Sequence, residues 1–289
     1  MRRPLFTGVC TALVTPFLDG KVNYPMMEQL VKRQIEAGIP AIVVAGTTGE
    51  SPTLNDHEKI TLFRRCKEYA DGKCLVIAGT GSNSTAHSIE LSIAAEEAGA
   101  DALLVVSPYY NKATPTGIFL HYLSICQAVS IPVIIYNVPS RTGLDIPVSV
   151  YEKLSKITNI AGVKEANPDI SKIAKIRNAC GYDFPIWTGN DEQIVPVMSL
   201  GGVGVISVLS NIFPENTLSM CHAALDGDFY TAADLQCRML PMIDALFSEV
   251  NPIPVKAAMK EIGFDCGECR LPLCHISNDN LAKLRVLLE

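Results

Sequence analysis

Glu97-Ala98-Gly99-Ala100-Asp101-Ala102-Leu103-Leu104-Val105-Val106-Ser107-Pro108-Tyr109-Tyr110-Asn111 holds the end of a helix, a buried strand and a polar loop in one stretch. Gly99 can close the helix because it tolerates positive φ. The run 102–106 is apolar at every position, which marks a strand covered on both faces. Ser107 and Pro108 then end it. The same order recurs upstream, where Glu36-Ala37-Gly38 precedes the run 41–45. Similar runs stand at 9–15, 75–78, 133–136, 160–163, 185–188 and 203–207. Their spacing is roughly 30 residues, the length of one strand-helix unit.

The segments between the runs carry helix signals. Asn55 with Glu58 reads as a capping box, and Pro147 stands at a helix start. Eight strands, each followed by a helix, predict an α/β chain closed into a (β/α)8 TIM barrel. A doubly wound open sheet would need a phosphate-binding glycine turn after its first strand, and none is present. Gly201-Gly202-Val203-Gly204 precedes the last strand and opens no helix, so it reads as a tight turn. Beyond the last strand the chain reads as helices alone, at 229–248, 254–262 and 279–288. We therefore expect a barrel over 1–225 and a C-terminal helical extension over 226–289 packed against it.

Composition fits such a chain. Of 289 residues, 48% are apolar and 19% charged, enough for a large core. The net charge of −6, with no basic run, argues against nucleic acid as partner. The first residues lack the apolar stretch of a signal peptide, and no run approaches the ~18 residues of a membrane helix. A cytoplasmic location without membrane partner is expected, with ten scattered cysteines as free thiols. Cys266, Cys269, Cys274 and His275 could suggest zinc, but all four fall in one short segment where a structural site usually pairs two knuckles, so no metal is expected.

In a barrel of this kind, chemistry sits at the C-terminal ends of the strands. Lys164 follows 160–163 directly and should stand on a rigid element at the barrel mouth. A neutral lysine amine is a nucleophile toward carbonyl groups, and desolvation favours the neutral form. The bland alternative is an ion-paired lysine with Glu165 as partner. Tyr136, at the end of the adjacent strand, could shuttle protons to the amine. Thr47 and Thr48 lie between Gly46 and Gly49, where hydroxyl and N–H groups could hold a carboxylate. Arg141, in the loop after strand five, suits a second carboxylate. Tyr109 and Tyr110 read as exposed-loop aromatics. None of the five histidines falls at a strand end, which leaves no metal-ligand set and no Ser-His-Asp set there. An amine–carbonyl mechanism needs no cofactor.

The set Gly46-Thr47-Thr48-Gly49-Glu50-Ser51, Ser107-Pro108-Tyr109-Tyr110-Asn111-Lys112, Tyr136-Asn137-Val138-Pro139-Ser140-Arg141-Thr142-Gly143 and Val163-Lys164-Glu165 resembles the dihydrodipicolinate synthase family. The likeness spans essentially the whole chain, including Arg270-Leu271-Pro272-Leu273. The threonine-glycine loop and the lysine are shared with N-acetylneuraminate lyase and keto-deoxy-sugar acid aldolases. The double tyrosine and Ser140-Arg141-Thr142-Gly143 point to the synthase. The resemblance implies condensation of pyruvate with L-aspartate 4-semialdehyde on the route to diaminopimelate and lysine. It implies that Lys164 forms the pyruvate imine and that Tyr136, Thr47 and Tyr110 relay protons, with Tyr110 donated by a neighbouring subunit. It further implies that Thr48 holds the pyruvate carboxylate, that Arg141 orients the semialdehyde, and that Gly189 and Ile206 line the pyruvate pocket. A homotetramer, a dimer of tight dimers, is the implied assembly. Members strongly inhibited by lysine carry histidines and a glutamate where this chain has Asp56, Lys59 and His87, so weak or absent lysine inhibition is expected. Two competing readings are a related pyruvate lyase acting on a sugar acid or hydroxy-keto acid, where a polyol aldehyde would leave Arg141 no carboxylate, and a non-catalytic barrel serving in binding or regulation, which would not need Lys164, Tyr136, Thr47 and Tyr110 together.

Overall fold

The computed structural model describes residues 3–289. Among the described residues ten strands run β1 Gly8–Ala12, β2 Phe17–Leu18, β3 Lys21–Val22, β4 Ala41–Val44, β5 Leu75–Gly79, β6 Ala102–Val106, β7 Val133–Asn137, β8 Ile160–Glu165, β9 Ile186–Thr188 and β10 Gly204–Ser207. Eight of them close into a parallel barrel in the order β1, β10, β9, β8, β7, β6, β5, β4, with β4 pairing back to β1. The expected barrel is therefore the one observed. The helices are α1 Tyr24–Glu36, α2 Asp56–Ala70, α3 Thr85–Glu97, α4 Pro115–Ala128, α5 Pro139–Thr142, α6 Val148–Leu154, α7 Ser171–Cys180, α8 Ile194–Ser199, α9 Pro214–Leu225, α10 Phe229–Leu246, α11 Ile253–Glu261 and α12 Asn278–Leu288.

Two departures from the expected boundaries matter. The strand expected at 9–15 ends at Ala12, because the chain turns into the antiparallel β2–β3 hairpin. Its turn is Asp19-Gly20, both at positive φ, the pairing that matches the twist of a tight hairpin. Two-residue strands leave no periodic signal, so sequence reading missed them. The strand expected at 160–163 runs to Glu165, which puts Lys164 within the sheet rather than just after it. The cap at Asn55 forms as expected: its side chain accepts from Glu58 N–H while the Glu58 carboxylate accepts from Asn55 N–H.

Side chains alternate across each strand, so the barrel carries two cores. Leu103, Val105, Val133, Ile135 and Val163 face the helices. Ala102, Leu104, Ile134, Tyr136 and Ile206 face the barrel axis, where Trp187 stacks on Phe6 with ring centroids 4.9 Å apart. Gly162 makes room for that indole: a Cβ there would meet Trp187 at 2.9 Å and the Pro185 carbonyl oxygen at 2.3 Å. The C-terminal helices pack on one side of the barrel, with α10 against α9 and α8 and α12 against α10 and α11.

Candidate active site

Alternation along β8 settles which way Lys164 faces. Gly162 points at the axial Trp187 and Val163 at the helices, so Lys164 points inward and Glu165 outward. Lys164 is 5% exposed and is the register partner of Tyr136 on β7 and Trp187 on β9. Its Nζ lies 4.4 Å from the centroid of the Tyr136 ring. Among the described residues no carboxylate forms a salt bridge with this amine. The bland reading, an ion pair with Glu165, fails on direction. The Glu165 carboxylate accepts instead from Asn137 Nδ2 at 2.7 Å, Tyr151 OH at 2.9 Å and Asn167 N–H at 2.9 Å. Burial pushes its pKa up to about 7.

Lys164 opens on a cavity of about 390 Å³ whose walls also include Thr47, Thr48, Tyr136, Arg141 and Gly189. Six of the eight residues selected from sequence thus meet in one place. Thr47 and Thr48 are carried by a loop bracketed by Ala45 and Glu50, both left-handed at φ 53 and 57. Such a conformation costs a non-glycine residue of order 1–3 kcal/mol and persists only when its surroundings enforce it. Gly49 and Ser51 N–H both donate to Gly46 O, and Glu50 N–H donates to Thr47 O. Among the described residues, Thr47 N–H and Thr48 N–H donate to no protein acceptor, which leaves two donors on one turn without a partner. Thr48 Oγ1 accepts from Asn251 Nδ2 at 2.9 Å, so its own hydrogen remains available.

The C-terminal segments hold this loop. Glu50, fully buried, accepts from Lys256 Nζ at 2.9 Å and from Arg270 N–H at 2.9 Å. The Arg270 guanidinium donates to both Glu58 oxygens, at 2.8 and 2.6 Å, and lies over the Phe17 ring. Asn251 and Lys256 carried no signal in the sequence, and Arg270 entered only as part of the family likeness, because nothing local says that these residues return to a loop some 200 positions earlier. The outer wall of the cavity, with Ile243, Asp244 and Phe247 on or just after α10, was missed for the same reason.

The remaining selected residues stand as follows. Arg141, expected in a loop, lies on the one-turn helix α5 and lines both the Lys164 cavity and a second one beside it. Gly189 is pressed against Lys164. Ile206 is buried in the inner core with Tyr136 and Ala166, and Val208 takes the cavity-wall position two residues on. Tyr110 is 84% exposed at φ 73 and lines neither cavity of its own chain. Tyr109 is half-buried in the wall of the second cavity, about 480 Å³, with Lys59, Asp56 and His87. There His87 Nε2 meets Asp56 at 3.0 Å and Lys59 Nζ meets it at 4.0 Å, while burial lowers the Lys59 pKa. Cys266 is buried, Cys274 is exposed, and the His275 ring pairs with Glu268.

The chain matches a family model described as the dihydrodipicolinate synthetase family over residues 5–289. It is 48% identical over 287 residues to a 4-hydroxy-tetrahydrodipicolinate synthase of a Thermoanaerobacter species, covering 99% of this chain and 97% of the relative. The crystal structure of dihydrodipicolinate synthase from Aquifex aeolicus superposes with a TM-score of 0.96 at 42% identity, over 98% of this chain and 97% of that one. The chloride-inhibited dihydrodipicolinate synthase from Acinetobacter baumannii, solved in complex with pyruvate, superposes at 0.95 with 40% identity, over 98% and 97% of the two chains.

Proposed function

The chain belongs to the dihydrodipicolinate synthetase family, and on that premise we propose that Lys164 captures pyruvate as a Schiff base and passes its enamine to L-aspartate 4-semialdehyde. The activity is that of a 4-hydroxy-tetrahydrodipicolinate synthase, a lyase-type step toward diaminopimelate and lysine. The observation that carries the role of Lys164 is its position: inward-facing, with no paired carboxylate among the described residues, against the Tyr136 ring and in one cavity with the threonine loop and Arg141.

The steps follow from that arrangement. The neutral Lys164 amine adds to the pyruvate carbonyl, and loss of water leaves the imine. The imine draws electrons from the methyl group, which gives up a proton to form the enamine. The enamine carbon bonds to the aldehyde carbon of the semialdehyde, and the resulting alkoxide takes a proton. The substrate amine then attacks the imine carbon, closing the ring and releasing Lys164. Tyr136, whose ring lies against Nζ, moves protons at each stage, with Thr47 linking it outward. The free Thr47 and Thr48 N–H groups and the Thr48 hydroxyl suit the pyruvate carboxylate. Arg141 at the mouth suits the semialdehyde carboxylate in a bidentate pair. Gly189 shapes the pyruvate end, with Ile206 supporting it from the core beneath.

Tyr110 completes the relay from a second subunit in this reading. Its exposure and strained backbone support that role, since a side chain held out at φ 73 and 84% exposed gains little from its own chain. The assembly that provides it is a tight dimer, paired again into a homotetramer. We place the protein in the cytoplasm, a setting that ten unpaired cysteines suit. Among the described residues no helix is long and apolar enough to cross a membrane.

The deciding experiment is borohydride reduction in the presence of pyruvate, with the labelled peptide identified by mass spectrometry, beside semialdehyde-dependent turnover coupled to a reductase. Label on Lys164, and loss of both label and turnover in Lys164→Ala, is the expected result. Label on another lysine would overturn it.

A further inference from the structure

Behind the reacting pair lies a second pair that the mechanism does not use. Tyr136 and Lys164 are register partners on the inner face, and the next residues, Asn137 and Glu165, are register partners on the outer face. Asn137 Nδ2 donates to Glu165 Oε1 at 2.7 Å, tying the two strand ends together by side chains where the ladder of backbone bonds is about to end. Both residues are essentially buried. The rest of the surroundings hold them from outside. Asn137 Nδ2 also donates to Asp145 at 2.8 Å, and Asn137 Oδ1 accepts from Ile146 N–H at 3.1 Å. Lys172 on α7 reaches both Asp145 oxygens at 2.8 Å and the Ile146 carbonyl at 2.7 Å.

We propose that Glu165, through Asn137, is a positioning residue for the imine-forming step: it locks the ends of β7 and β8 so that Tyr136 and Lys164 stay side by side. The proposal rests on Lys164 as the imine-forming amine. Three donors converge on the Glu165 carboxylate, from Asn137, Tyr151 and Asn167. Oε1 accepts from Asn137 and Asn167 and Oε2 from Tyr151; in the ionised form all three are charge-assisted, whereas a proton on Oε2 would turn the Tyr151 hydroxyl into an acceptor and weaken the two bonds on Oε1. The lock is thus tightest when Glu165 is charged, and burial moves that ionisation close to neutrality. The titratable groups facing it are Tyr122 on α4, Tyr151 on α6 and Lys172 on α7, with Asp145 before α6 joined to it through Asn137, while Lys164 on its own strand points to the opposite face. Of these, Lys172 favours the charged form, while Tyr151 and Asn137 favour it by hydrogen bonds.

The test uses the full chain with pyruvate and borohydride, and follows the rate of label on Lys164 by mass spectrometry. Glu165→Gln keeps the shape but not the charge, and Glu165→Leu removes every acceptor. The expected result for Glu165→Gln is a fall in imine-formation rate and kcat of about tenfold, the scale on which small misplacement of reacting groups acts, with the pyruvate KM changed much less. An inflection near neutral pH in the native rate should vanish in Glu165→Gln, while its thermal midpoint at pH 8 does not fall. A role in folding alone would instead lower the midpoint and leave the pH profile of the folded enzyme unmoved. Native imine-formation rate and native pH profile in Glu165→Gln would overturn the proposal whether or not Glu165→Leu folds. Absence of label on Lys164 in the native chain would instead overturn the reading on which it rests.

Discussion

Gly189 lies so close to Lys164 that a methyl group on its Cα would stand 2.9 Å from the lysine Cε and 2.8 Å from the Ala166 Cβ. The glycine on β9's exit loop is therefore what lets the amine of the neighbouring strand extend into the cavity. Its N–H is already committed, donating to Glu165 O at 2.7 Å. Gly189→Ala should displace the lysine side chain, since Cε is the movable partner. We expect kcat to fall by about 10²-fold, with a stability loss of ~1–3 kcal/mol from overpacking. Borohydride trapping on the folded variant checks it; native trapping kinetics would show that the lysine does not need this space.

Glu165 should also leave a mark on stability. Burial holds it at about 7 against an ordinary 4.5, so through that window the folded chain keeps a proton that the unfolded chain has lost. Stability should fall as pH rises from about 4.5 to about 7 and flatten above, and the gap corresponds to at most ~3 kcal/mol. Glu165→Gln should remove that slope and raise the urea midpoint at pH 8. Unfolding curves at pH 5, 6, 7 and 8 on both proteins measure the difference.

Lys256→Met should destabilise the chain by about 3–5 kcal/mol, because it leaves the Glu50 carboxylate buried without its cation. Glu50→Gln in the same chain should recover part of that loss. The two changes should also raise the pyruvate KM, since Glu50 ends the turn that carries Thr47 and Thr48. Denaturant titration with steady-state kinetics separates the two effects.

Tyr110 gives a complementation test. Lys164→Ala and Tyr110→Phe should each be nearly inactive. If Tyr110 acts across subunits, a mixture refolded or expressed together should regain roughly a quarter of the native sites, by random pairing in a two-fold dimer. No recovery, with mixed dimers present by native mass spectrometry, would confine Tyr110 to its own chain.

L-Lysine should inhibit weakly. The second cavity presents Lys59, a cation that repels an added ammonium, and its Asp56 carboxylate is already engaged by His87 at 3.0 Å. A lysine titration at saturating pyruvate measures this, and strong inhibition below millimolar lysine would refute it.

The fold was legible in the sequence because it is written in local patterns. Runs such as 102–106 and 133–136 are apolar at every position, and Gly38 and Gly99 mark the helix ends before them. The same alternation placed Lys164, Tyr136, Thr47, Thr48, Arg141 and Gly189 at strand ends, and the barrel brings strand ends together. The direction of a side chain, and what lies opposite it, depends instead on strand register and on packing between distant segments. Those decided that Glu165 turns away from Lys164 and binds Asn137, that Ile206 sinks into the core, and that Asn251 and Lys256 reach back to Thr48 and Glu50. A hydrogen bond between residues some 200 positions apart leaves no period in the sequence, because only the closed barrel and its C-terminal helices bring the two groups within 3 Å.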